Sequence, residues 1–194
     1  MGKKRLDDAI KQINAPVEVT YRCFQLDPTM GTDIKENMHE LLAKKYGMSI
    51  EQAVASNQNM TKLAKEVGLD YHMDTLILTN TFDAHRLTMF AKTKGLMAEM
   101  TERILHAYFT ESKHIGEHET LIELAVEVGL NREEVAYMLA SDAMTDEVRA
   151  DQRLAQQYGI RAVPFFLLNK KYALTGAQPT DVMIQALEKV LAEQ

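Results

Sequence analysis

The sequence predicts an α/β fold whose small sheet is interrupted by a large, all-helical insertion. Three observations predict it. Val17 to Gln25 alternates, with Val17, Val19, Tyr21 and Cys23 on one side and Glu18, Thr20, Arg22 and Phe24 on the other, which is the period of a half-buried strand. Phe165 to Leu168 is apolar throughout and fits a strand covered on both faces. From Asp33 to Asp142, between these stretches, the apolar residues recur at helical spacing and no second strand pattern intervenes.

The elements follow in order. Lys3 to Asn14 reads as a helix, with Leu6, Ala9, Ile10 and Ile13 on one face and Pro16 ending it. The strand Val17–Gln25 closes at Asp27-Pro28 and Gly31. Asp33-x-x-Glu36 has the form of a capping box and opens a helix through Ile34, Met38, Leu41 and Leu42 to Gly47. Ser49-x-x-Gln52 opens the next, through Val54, Leu63, Ala64 and Val67 to Gly68. Leu69 to Thr79 is a loop. Asn80 or Thr81 caps a helix carrying Phe82, His85, Met89 and Phe90 to Gly95. Met100, Ile104, Leu105 and Tyr108 define another, and Leu121, Leu124, Ala125 and Val128 one more, ended by Gly129. Asn131-x-x-Glu134 starts a short helix with Val135, Met138 and Leu139. Thr145 leads the next through Leu154 and Ala155 to Gly159. Asn169-Lys170 turns the chain after Leu168, Tyr172 to Thr175 returns, and Thr180 caps a last helix with Val182, Met183, Ala186, Leu187 and Val190. The insertion spans 32–142, and the α/β part is discontinuous, 1–31 with 143–194.

Composition removes several function classes. Hydrophobic residues make up 46% of the 194, enough for a real core. Net charge is −6 and no Lys/Arg cluster could track a phosphate backbone, so nucleic acid is not a predicted partner. No run of about 18 apolar residues exists to span a membrane. The start, Met1-Gly2-Lys3-Lys4-Arg5-Leu6, lacks the apolar core of a signal peptide. One cysteine, Cys23, allows neither an internal disulfide nor a Cys-only metal site, and a reducing, cytoplasmic setting follows as the default. His114-x-x-x-His118 with Glu117 and Glu119 has ligand-like spacing, but Gly116 breaks the helix that would align it. Neither a metal nor a cofactor is predicted. Walker, Gly-x-Ser-x-Gly and His-Glu-x-x-His motifs are missing.

Five stretches in this order carry a resemblance. They are Asn80-Thr81-Phe82-Asp83-Ala84-His85-Arg86-Leu87, Ala107-Tyr108-Phe109-Thr110, Ser141-Asp142, Val148-Arg149-Ala150-Asp151, and Gly159 to Phe166 followed by Tyr172 to Pro179. Together they resemble the DsbA family of thioredoxin-fold oxidoreductases, in its FrnE-type branch. The resemblance implies a thioredoxin-like fold with a large helical insertion and implies that Pro164, preceded by Val163, is the cis-proline of a substrate-binding loop. It also implies a Cys-x-x-Cys at the start of the first helix, where the helix end lowers a thiol pKa and the thiolate attacks. Gly2-Lys3-Lys4-Arg5-Leu6 matches the run that follows that motif, so the dithiol is expected upstream of Met1. The family's first strand is expected to be absent from this chain too, which then reads as truncated.

The implied partners are protein or peptide thiols and disulfides, or a small thiol, and a homo-oligomer is compatible with the sequence. With no catalytic residue in the chain, the polypeptide as given is expected to be inactive in dithiol exchange. Whether it is an enzyme stays open. The alternatives are a redox-inactive module holding a peptide or small ligand, and a relative of the glutathione-dependent isomerases and transferases. Val163 and Pro164 are the predicted substrate-binding residues. His85 and Arg86, on one helix with Asp83, are candidates for a minor role that packing and capping explain equally well. Cys23, on the apolar side of its segment, is expected to pack as a small hydrophobe.

Overall fold

The computed structural model describes residues 1–193. Two compact units divide the chain: Met1–Thr20 with everything from Ala155 onward, and Tyr21–Leu154.

The first unit is built on two helices and a hairpin. Helix α1, Gly2–Gln12, presents Leu6 and Ala9 as its buried face and is laced on its outer side by the i,i+4 pairs Lys3–Asp7, at 2.8 Å, and Lys4–Asp8. The hairpin pairs β1, Phe165–Leu168, with β2, Tyr172–Thr175, antiparallel, Phe165 facing Thr175 and Leu168 facing Tyr172. Its three-residue loop, Asn169 to Lys171, puts Asn169 at φ 46° and Lys170 at φ 56°, and the N–H of Lys171 donates back to Leu168 O at 2.9 Å. Helix α9, Thr180–Leu191, lays Met183 and Leu187 against Leu6 and Ala9 of α1, and Phe166, Leu168 and Leu174 of the hairpin pack on that cluster.

The second unit is helical. Helix α2, Met38–Tyr46, and α3, Ile50–Glu66, pack against each other. Helix α4, Phe82–Thr93, contacts α5, Met97–Phe109, α6, His118–Glu127, and α7, Arg132–Ala140. Leu87, Met100, Leu121, Leu124 and Val135 from these four helices are fully buried together in the main core. Helix α8, Thr145–Gln157, runs on from this unit; Val148 is fully buried against Cys23 and Met89. No helix among the described residues is long and apolar enough to cross a membrane.

Three predicted features differ. Val17–Gln25 is not a strand: among the described residues the one sheet is the β1–β2 hairpin. Alternation shapes burial even so, since Cys23 and Gln25 are buried while Arg22 and Leu26 are exposed. What replaces a ladder there is side-chain acceptance; the N–H of Cys23 donates to Asp151 Oδ2 at 2.8 Å. The helix predicted from Asp33 begins only at Met38, because Asn37 and Glu40 form the actual capping box, each side chain accepting from the other's backbone N–H. The last helix takes Pro179, not Thr180, as its N-cap, so Thr180 is its first residue and no side chain caps it.

Candidate functional site

Gly159 lies at φ 66° just past the end of α8, and the N–H of Ile160 donates back to Ala155 O at 2.9 Å. That is a left-handed helix stop, and only a residue without Cβ takes it freely. It releases Arg161, Ala162 and Val163 onto the surface, Val163 being 41% exposed. The Val163–Pro164 peptide bond is cis. Pro164 offers no N–H, but its carbonyl accepts from the N–H of Gly176 at 2.8 Å, which ties the loop to the residue that follows β2. The result is an exposed segment of backbone held in a fixed place at the mouth of β1.

The start of α1 lies against this loop. A Cβ built on Gly2 would stand 2.6 Å from Pro164 Cγ and 3.2 Å from Phe166 Cζ, so glycine is what permits the contact. Three residues on, the Arg5 guanidinium donates to the carbonyl of Ala177, joining α1 to the segment after β2. A helix N-terminus carries the positive end of the macrodipole and favours an anion or thiolate near it. Loop and helix end together set exposed, anchored backbone beside a position suited to negative charge. Val163 and Pro164 belong to this arrangement, whereas Gly2, Arg5 and Gly176 figured in the sequence only as parts of family-like runs and not as site residues. No local signal marks Gly2, because what constrains it is Pro164, remote in sequence.

His85 and Arg86 lie in the other unit, on α4. Arg86 is 5% exposed, and its guanidinium donates to the carbonyls of Ala143 at 2.9 Å, Met138 at 2.7 Å and Ser141, and to Asp83 Oδ1 at 2.8 Å. It gathers the carbonyls left open at the end of α7. His85 is held neutral: burial pushes its imidazole down to about 4, against the opposing pull of the Phe24 backbone and Asp151. Cys23 is 2% exposed, and its Sγ lies 3.7 Å from the carbonyl of His85. Burial first and Asp151 second push its thiol up to about 12, so it is not a thiolate at neutral pH. His118 pairs with Asp83 at 2.9 Å, while His114 Nδ1 accepts from the N–H of Gly116.

The family model described as the DSBA-like thioredoxin domain matches residues 1–188. The protein YwbO of Bacillus subtilis is 27% identical over 199 residues, which cover 96% of this chain and 88% of that protein. A probable DsbA oxidoreductase from Streptomyces coelicolor, of known crystal structure, has a TM-score of 0.95 and 39% identity, covering 100% of this chain and 84% of that one. The cytosolic disulfide reductase DsbM of Pseudomonas aeruginosa with GSH has a TM-score of 0.62 and 20% identity over 98% of this chain and 92% of its own, a likeness of fold alone.

Proposed function

The chain belongs to the DSBA-like thioredoxin domain family, with that family's α/β fold and a helical insertion, and from this premise we propose that its Val163–Pro164 loop receives an extended peptide carrying a thiol or disulfide. The contact between the start of α1 and Pro164 carries the proposal. It sets a helix N-terminus, which favours a thiolate near it, beside exposed, anchored backbone.

The reactive side is not in these 194 residues. Their one cysteine, Cys23, is buried and its thiol is pushed up to about 12. Dithiol exchange needs an attacking thiolate and a second, resolving sulfur, and this polypeptide supplies neither. A reducing, cytoplasmic setting suits a chain with a single free thiol. The FrnE-type branch is part of the same proposal, and rests on the Asn80 to Leu87 and Gly159 to Phe166 stretches.

Two measurements test this. The purified polypeptide is expected to give no acceleration of insulin reduction over dithiothreitol alone; acceleration overturns the inactive part. A short peptide containing a disulfide is expected to shift the backbone amide resonances of Ala162, Val163 and Phe165. Shifts confined to other residues, or none, overturn the binding part.

A further inference from the structure

A cleft of about 480 Å³ opens in the helical unit, lined by residues of α4 and α8 and of the loops that cross them. That volume lies within the range of small-molecule sites. One side of the cleft is a relay of carboxamides. Gln152 donates to Gln25 Oε1 at 2.8 Å, Gln25 donates to Asn80 Oδ1 at 3.2 Å, and Asn80 donates to the carbonyl of Met30. Asn80 Oδ1 also accepts from the N–H of Phe82 at 2.8 Å. The relay fixes the orientation of each amide, so these polar groups are preorganised.

The charges on the lining are unequal in their engagements. Asp83 is engaged twice, by the Arg86 guanidinium at 2.8 Å on one oxygen and by a hydrogen bond with His118 at 2.9 Å on the other. Arg149 also lines the cleft, three residues before Gln152 on α8 and hence on the same face. Its guanidinium makes no hydrogen bond or ion pair among the described residues. The uncommitted charge of the cleft is therefore a planar cation, suited to bidentate pairing with a carboxylate. Phe82 and Pro28 add apolar contact. Gly116 on the lining packs tightly on its neighbours: a Cβ there would stand 2.0 Å from Thr79 Oγ1.

We propose that this cleft binds the free carboxylate end of a short peptide or N-acylated amino acid, Arg149 pairing with the carboxylate and Gln152 and Gln25 meeting the ligand amide. An inorganic anion is the weaker fit, because one arginine with carboxamides offers a phosphate few donors and leaves the Phe82 side without a contact. Binding here involves no sulfur chemistry and stands independently of the peptide-thiol proposal for the Pro164 loop.

The test is isothermal titration of the full chain with N-acetyl-alanyl-alanine, its C-terminal amide and inorganic phosphate. Saturable one-to-one binding of the acid is expected, with the amide weaker by about tenfold or more, the loss of a charge-assisted pair. Arg149→Gln should weaken the acid to a similar degree and leave the amide unchanged. Gln152→Leu should weaken both. Arg149 is exposed, so its variant keeps the fold, which circular dichroism checks. No saturable binding, equal affinity for acid and amide, indifference to Arg149→Gln, or phosphate binding as tightly as the peptide acid would each overturn the proposal. The probes contain no thiol, so failure here leaves the insulin and amide-shift tests untouched.

Discussion

Gly2 and Pro164 meet so closely that a Cβ on Gly2 would stand 2.6 Å from Pro164 Cγ and 2.9 Å from its Cβ. Both opposing atoms belong to a ring closed onto the backbone, and such a ring yields less than the far end of a flexible chain. Gly2→Val is expected to separate the helix start from the loop and to destabilise by about 1–3 kcal/mol, the usual range for overpacking. Calorimetry reads the loss as a lower Tm, and the Val163 amide resonance should move with it. An unchanged Tm and an unmoved Val163 amide would show that the two do not touch in solution.

Asp151 makes a second prediction. It is 4% exposed, and it accepts from the Cys23 N–H at 2.8 Å and from Arg22 Nη1 at 3.0 Å. Asp151→Ala leaves the Cys23 N–H buried without its acceptor, which costs about 1–3 kcal/mol. Asp151→Asn keeps an acceptor oxygen and loses only the charge facing a half-exposed arginine, an interaction worth about 1 kcal/mol or less. Urea unfolding should rank wild type, Asn and Ala in that order. Equal losses for both variants would move the weight from the hydrogen bond to the charge.

These two contacts show what local sequence could and could not foresee. The hairpin strands were legible to the residue, because an apolar run, a short turn able to take positive φ and a returning run are all local chemistry. The Ser49 helix start was legible for the same reason: Ser49 Oγ accepts from Gln52 N and Gln52 from Ser49 N. Asp33-x-x-Glu36 has the same form but lies outside the helix, since the pattern makes a cap available without forcing it; Asn37 and Glu40 cap instead. Val17–Gln25 alternates as a strand does, yet a strand is a relation between two segments, and the partner is not encoded in the segment itself. Gly2 was hidden similarly. Its neighbour Pro164 is remote in sequence, and nothing in the first turn announces the contact.

Cys23 should behave as an inert thiol. With its pKa pushed up to about 12 and 2% exposure, native labelling by a disulfide reagent at pH 8 should be slow and limited by opening of the unit. Denaturant should release it at once. The linkage has a definite sign. From about pH 9 toward 12 the unfolded thiol ionises while the folded one keeps its proton, so stability falls as pH rises through that window. Cys23→Ala should flatten that part of the stability curve. Rapid stoichiometric labelling of the native chain would contradict the burial.

His85 supplies the opposite limb. Burial pushes its imidazole down to about 4, while an unfolded histidine titrates near 6.5. Between those values the unfolded chain binds a proton that the folded chain refuses, so stability falls as pH drops from about 6.5 toward 4 and is fully present above 6.5. The contribution is on the order of 2 kcal/mol, allowing for the partly exposed position of the residue. His85→Gln removes the titration, so the variant should be less sensitive than wild type between pH 6.5 and 4.5 in urea midpoints, whatever its stability at pH 7. A direct reading comes from the ring resonances. They should remain those of a neutral imidazole at pH 5, where an exposed histidine would already be charged; a midpoint near 6.5 would place the ring in water and remove this limb of the curve.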